Sequence, residues 1–285
     1  MIFDERETLV NGVTIPKLGL GTWFIEDAKA ADAVREAVAI GYRHIDTAQA
    51  YANEAGVGDG VRTCGISREE LFVTTKLVAE AKTYEKAVAA IDGSLKKLGL
   101  DYVDLMLIHS PQPWADFRGG GYSEGNREAW RALEDAYKAG KLRAIGVSNF
   151  QKADLENILS NCTVAPMVNQ LLVHIGNTPK DLIAYCKANK IAVEAYSPVA
   201  HGEMFKHPQV QKMAEQYGVS VPQLCIRYTL QLGAISLPKT ANPEHMKENA
   251  MVDFVISDAD MEVLEQMQPL KDYGEFSVFP VFSGK

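Results

Sequence analysis

The stretch VDLMLI, Val103 to Ile108, decides the fold. It holds one acid, Asp104, and is otherwise apolar, with no alternation of wet and dry residues. A strand with one solvated face alternates; a strand apolar throughout is covered on both faces, as in a parallel sheet wrapped by helices. Working outward supports that setting. Upstream lies Leu71–Lys76 (LFVTTK), rich in β-forming residues. Between the two, Thr83 can cap a helix whose inner face is Tyr84, Ala87, Val88, Ile91, Leu95 and Leu98. Downstream the pattern predicts a helix over Glu128–Ala139 and a strand over Leu142–Val147.

The same alternation runs along the rest of the chain. Strands are predicted at Lys17–Gly21, Arg43–Asp46, Pro166–Asn169, Ile191–Ala195 and Ala234–Leu237. Helices are predicted at Ala28–Ile40, closed by Gly41, and at Lys152–Ser160, Lys180–Asn189, Gln209–Tyr217 and Val221–Leu232. Two more follow, Glu244–Ala250 and Ser257–Gln266. Eight βα units in 285 residues favour a closed (β/α)8 TIM barrel over an open doubly wound sheet, as one domain over residues 1–285. Asn11-Gly12, between Leu9-Val10 and Val13–Ile15, predicts a tight β-hairpin ahead of the barrel. Two long loops are expected: Ser110–Asn126, with Gly119-Gly120-Gly121, and the tail Leu270–Lys285.

Composition narrows the partners. The net charge is -8 and is spread along the chain, which argues against nucleic acid. Local basic residues still permit a small anionic ligand. The start, MIFDERETLV, lacks a basic-then-apolar leader, and no apolar stretch reaches the ~18 residues that cross a bilayer. Cys64, Cys162, Cys186 and Cys225 have no C-x-x-C spacing and read as free thiols in a reducing compartment. A monomer in the cytoplasm, away from membranes, is the expectation.

In such barrels the chemistry sits at the C-terminal strand ends. There the sequence places Asp46, Lys76, His109, Ser148-Asn149, Asn169-Gln170, Tyr196-Ser197 and Pro238-Lys239-Thr240, with Tyr51 one loop turn beyond Asp46. Singly, each has a bland reading: a cap or surface acid, a half-buried aromatic, a lysine snorkelling to water, a core histidine. As a set they suggest more. Asp46 and Lys76 can pair in a dry cleft, and a cation beside Tyr51 favours its phenolate. A tyrosine so tuned exchanges a proton, and His109 can hydrogen-bond a substrate oxygen. Lys76 as a Schiff-base nucleophile is an alternative, as is a non-catalytic protein on the same fold.

Over about Thr8 to Asn249 the chain resembles the aldo-keto reductases. The resemblance rests on GLGTW (Gly19–Trp23), GYRHIDTAQAYANE (Gly41–Glu54), KLGLDYVDLMLIHSP (Lys97–Pro111), GKLRAIGVSNF (Gly140–Phe150), Asn169-Gln170, AYSP (Ala195–Pro198) and LPKT (Leu237–Thr240), in that order. It implies a barrel whose hairpin closes the bottom, and metal-free reduction of a small-molecule carbonyl by a nicotinamide cofactor. The implied catalytic residues are Asp46, Tyr51, Lys76 and His109, with Tyr51 as the acid and Lys76 lowering its pKa. The implied cofactor site includes Gly21, Thr22, Ser148, Asn149, Gln170, Tyr196, Ser197 and Pro198, with Gly202 in a loop over the pyrophosphate. Lys239, Thr240, Glu248 and Asn249 would take the adenosine end with its 2′-phosphate. Two departures stand out. His245 replaces the usual arginine, so NADPH is expected but NADH is less excluded. Ser110 replaces the tryptophan that often follows the histidine, so a wider or more polar pocket is expected there. Trp23, Trp114 and the aromatic tail are the candidate substrate walls, for a small aldehyde, α-dicarbonyl or keto sugar.

Overall fold

A computed structural model describes residues 1–283; Gly284 and Lys285, the end of the expected tail loop, lie outside the described residues. The chain opens with an antiparallel hairpin, β1 (Arg6–Thr8) and β2 (Thr14–Pro16). Eight strands follow: β3 (Leu20–Gly21), β4 (His44–Asp46), β5 (Phe72–Leu77), β6 (Val103–Ile108), β7 (Leu142–Ser148), β8 (Val168–Leu172), β9 (Ala192–Tyr196) and β10 (Ile235–Leu237). Each is parallel to its sequence neighbour. The first and last meet: Gly19 N–H donates to Ser236 O at 3.0 Å and Gly21 N–H to Pro238 O at 2.9 Å, which closes the barrel. The predicted (β/α)8 architecture is therefore the one formed.

β6 is buried along its whole length. Its one acid, Asp104, survives burial because it accepts from Val73 N–H at 2.9 Å, Arg68 Nη2 at 2.6 Å and Arg143 Nη1 at 2.7 Å. The hairpin sits at the N-terminal ends of the strands, with Leu9 and Ile15 buried and Asn11 Nδ2 donating to Arg143 O at the start of β7. A tight turn joins its two strands, as expected. Gly12 N–H donates back to Leu9 O, and Asn11-Gly12 are the last two residues of a four-residue turn, with Gly12 at φ 84°.

The helices are α1 (Asp27–Ile40), α2 (Glu54–Thr63), α3 (Tyr84–Leu98), α4 (Ser123–Lys138), α5 (Lys152–Leu159), α6 (Lys180–Ala188), α7 (Pro208–Tyr217), α8 (Val221–Gln231), α9 (Pro243–Ala250) and α10 (Asp258–Glu265). Thr83 caps α3 by accepting from Lys86 N–H, and left-handed Gly99 ends it. Among the described residues, no helix is long and apolar enough to cross a membrane. Helix α4 begins at Ser123 and takes up part of the expected Ser110–Asn126 loop.

Helix α2 was not expected. Its sequence, EAGVGDGVRT, has glycine at Gly56, Gly58 and Gly60 and so a weak helical signature. The glycines are there because α1 and α3 press close. A Cβ on Gly56 would collide with the Asp27 carbonyl oxygen, and one on Gly58 with that of Leu98; one on Gly60 would lie 2.6 Å from Val34 Cβ. Gly93, inside α3, has open space around its Cα. Gly58→Ala is expected to destabilise by about 1–3 kcal/mol through overpacking. Gly93→Ala is expected to stabilise by roughly 0.5–1 kcal/mol, the helix penalty of glycine. Denaturant melts of both variants check the opposite signs.

Candidate active site

Lys76, next to last in β5, is fully buried. Its ammonium donates to Asp46 Oδ1 at 2.6 Å, to Thr47 O at 2.9 Å and to Tyr51 Oη at 3.2 Å. Burial alone would pull its pKa down; attraction and hydrogen bonds from Asp46 and Tyr51 outweigh this and raise it, so Lys76 stays a cation. Tyr51 ends a short 3-10 turn, Gln49–Tyr51, that Ala52 closes in the left-handed region at φ 56°. Gln49 anchors that turn, donating to Ala90 O and Ser94 Oγ and accepting from Val78 N–H. For the Tyr51 phenol, burial is the largest effect and raises the pKa; Lys76 lowers it and Asp46 raises it. The net is upward, opposite to the direction expected when only the cation was weighed.

His109 follows β6 directly, with its N–H on Leu77 O. Its ring meets Tyr51 edge-on at 5.6 Å and Trp114 at 5.0 Å. Burial, aided by the Lys76 charge, drives its pKa well below the ordinary imidazole value, so it is neutral. Nδ1 is buried without a partner among the described residues. Ser110 is buried too and does not line the cleft; its carbonyl accepts from Lys82 Nζ at 3.0 Å. Ser110 therefore adds no polar wall to the cleft, and Trp114 is the aromatic wall beside His109.

The next strand ends interlock. Asn149 is left-handed at φ 62°; it donates to His109 O and accepts from Tyr196 Oη at 2.7 Å. Ser148 Oγ donates to Gln170 O. Gln170 Nε2 donates to Asp46 Oδ2 at 2.8 Å and to Glu194 Oε2 at 2.7 Å. Thr22 gives both its N–H and its Oγ1–H to Asp46 O. Glu194 was not among the expected residues; an acid in the middle of the otherwise apolar strand AVEAY was its only signal.

Two cavities meet at Trp23, Tyr51, Tyr196 and Phe279. The inner one, about 300 Å³, is lined also by His109, Trp114, Ser148, Asn149, Gln170 and the tail residues Pro280–Phe282. The outer groove, about 850 Å³, runs past Gly21, Thr22, Asp46, Ser197, Pro198 and Gly202 to Lys239, Thr240, His245, Glu248 and Asn249. Every expected catalytic, cofactor and substrate residue thus lines one cavity or the other except Lys76, which is fully buried; the strand-end candidate Asn169 lines neither and donates to Phe150 O. The expected loop over the groove is the 3-10 segment Ala200–Lys206, kinked at His201 and Gly202. His201, also unforeseen, stacks on Phe276 of the tail at 4.0 Å. The tail both lines the cleft, through Phe279, and packs inward, through buried Phe282 against Tyr273.

Known proteins share this fold. Residues 17–269 match the model of the aldo/keto reductase family. The glyoxal reductase of Bacillus subtilis is 42% identical over 261 residues, covering 91% of each chain. An aldo/keto reductase from Brucella melitensis superposes with a TM-score of 0.87 at 38% identity, over 93% of this chain and 98% of that one. A Bombyx mori aldo-keto reductase solved in complex with NADP gives 0.85 at 33% identity, over 98% of each. With the family model and these relatives matching most of its length, the chain belongs to the aldo/keto reductase family of oxidoreductases.

Proposed function

We propose that the protein reduces the aldehyde or ketone group of a small molecule to an alcohol, using NADPH, with Tyr51 as the proton donor. The observation that carries this reading is the position of Tyr51: it lines both cavities, and its hydroxyl accepts from Lys76, whose ammonium is paired with buried Asp46. The residues present fit a dinucleotide. The groove, about 850 Å³, has Lys239 with Thr240 at its outer end, and the inner cavity that it meets supplies the hydroxyl and amide groups of Ser148, Asn149 and Gln170. Ser148, Asn149 and Gln170 would hold the nicotinamide amide, and Tyr196 would cover one ring face. Lys239, Thr240, His245, Glu248 and Asn249 would take the adenosine 2′-phosphate end. When bound, the reduced nicotinamide supplies the hydride that adds to the carbonyl carbon.

The remaining steps belong to this chain's residues. Neutral His109 orients the carbonyl oxygen by hydrogen bond. Tyr51 passes its proton to that oxygen as negative charge develops, and Lys76 stabilises the phenolate left behind. Asp46 keeps Lys76 charged and in place. Among the described residues no charged side chain lines the inner cavity, whose walls include Trp23, Trp114, Phe279 and Phe282. That favours a small uncharged aldehyde or α-dicarbonyl over a polyhydroxy keto sugar. A Schiff-base role for Lys76 is disfavoured, because all three of its protons are engaged and its pKa is raised.

Tyr51→Phe is expected to cut kcat for carbonyl reduction by about 10²- to 10⁴-fold while leaving NADPH affinity near wild type. Near-normal turnover in that variant would remove the acid assignment. The pH dependence follows from the sign of the Tyr51 shift. A general acid must be protonated, and this one is raised, so kcat for reduction should show no alkaline limb below the ordinary phenol range. An alkaline limb centred near neutral pH would contradict this. His245→Arg adds a permanent charged fork. It is expected to lower the Kd for NADPH by about tenfold, the 1.4 kcal/mol of one charge-assisted contact, with little effect on NADH. Equal changes for both cofactors would place His245 away from the 2′-phosphate.

A further inference from the structure

Glu194 is the middle residue of β9 and is fully buried inside the barrel. No lysine or arginine pairs with it among the described residues. Its one chargeable contact is His44, with Nε2 3.7 Å from Oε1. Burial lowers that imidazole to about 3, which leaves it neutral. Burial also pushes Glu194 up to about 8, with the Asp46 charge adding to the rise. Oε1 has no hydrogen-bond partner among the described residues. A carboxyl held this way is costly, and its close contact is a single one: Gln170 Nε2, at 2.7 Å from Oε2.

That contact fixes something definite. Gln170 Nε2 also lies 2.8 Å from Asp46 Oδ2. Asp46 is paired with Lys76 and accepts only, so the end of the Gln170 amide turned toward it is the NH2. The two acceptors, Asp46 and Glu194, take both N–H bonds. The amide can then neither flip nor twist, and its carbonyl oxygen is the end left for the inner cavity that Gln170 lines. A one-acceptor arrangement would leave a buried N–H unpaired and a side chain free to rotate away from it.

We propose that Glu194 is a positioning residue for cofactor recognition: by holding the second N–H of Gln170, it presents the Gln170 carbonyl oxygen as an acceptor for the carboxamide N–H of a nicotinamide. This rests on the cofactor reading above. Glu194 touches neither cofactor nor substrate; it acts through Gln170.

The test is equilibrium binding of two ligands, NADPH and 2′-phospho-ADP-ribose, which has the same adenosine end and pyrophosphate but no nicotinamide. Glu194→Leu removes the acceptor at similar volume. It is expected to weaken NADPH about tenfold, the worth of one hydrogen bond, and to leave the fragment within about twofold. Glu194→Gln keeps a side-chain oxygen toward Gln170 and is expected to bind both ligands as wild type does. Equal losses for both ligands in Glu194→Leu would mark a general distortion and overturn the proposal. So would unchanged NADPH binding, or a loss in Glu194→Gln. Should Glu194→Leu fail to fold, Glu194→Ala is read by the same two criteria. If wild-type protein does not bind NADPH, the cofactor reading fails and takes this proposal with it. If wild type binds and the Leu or Ala variant matches it, this proposal alone fails.

Discussion

The mouth of this barrel is organised around one buried cation. An ammonium taken out of water costs several kcal/mol unless its protons are met and its charge is balanced. Lys76 satisfies both conditions with one carboxylate, one backbone carbonyl and one phenol. Each partner is fixed in turn. Asp46 receives Gln170 on its free carboxylate oxygen and Thr22 on its carbonyl. The Tyr51 turn hangs on Gln49, which reaches α3 and the loop after β5. Strands β3, β4, β5 and β8 are thereby tied together through the shell of a single charge. The barrel explains why such a charge can be held at all: parallel strands deliver side chains from many parts of the chain to one ring.

The backbone around the cleft carries the strain that this convergence requires. Phe24, Ala52, Asn149, Ser197, Ala200 and His201 all adopt positive φ without being glycine. Such residues cost of order 1–3 kcal/mol each and persist only where their surroundings over-determine them. Here the surroundings are visible. Asn149 is held by His109 O, Ser148 and Tyr196. His201 is held by Ser197 and by stacking on Phe276. Rigid strands below and aromatic packing above leave these loops little alternative.

How much of this was legible in the sequence depended on what each residue had to satisfy. VDLMLI betrayed a doubly covered strand because burial on two faces leaves no room for alternation. Strand-end polar residues were legible because position alone makes them conspicuous after an apolar run. Helix α2 was illegible because the close approach of α1 and α3 required glycines, and those glycines erased the apolar stripe that marks a helix. Glu194 was illegible for a related reason. It lies inside a strand, one layer below the cleft, and its partner Gln170 is distant in sequence. Ser110 is a weak guide to the pocket because it does not line the cleft, while Trp114, four residues later, packs beside His109.

The upward shift of Tyr51 alters how the proposed chemistry is balanced. A phenol lowered to neutral pH would spend much of its time ionised and so be a poor donor for reduction. A half-buried phenol whose hydroxyl meets a buried ammonium behaves differently. Burial keeps the proton on while the site waits, since an isolated phenolate would be poorly solvated there. Once negative charge appears on a substrate oxygen, the proton moves across, and Lys76 already faces the phenolate that results. The cation therefore acts mainly on the product of proton transfer and less on the resting acid. On that reading the site favours reduction at neutral pH. The reverse reaction needs the phenolate at the outset and therefore favours alkaline conditions. Burial and the Lys76 charge oppose each other on the resting group and act in sequence along the reaction.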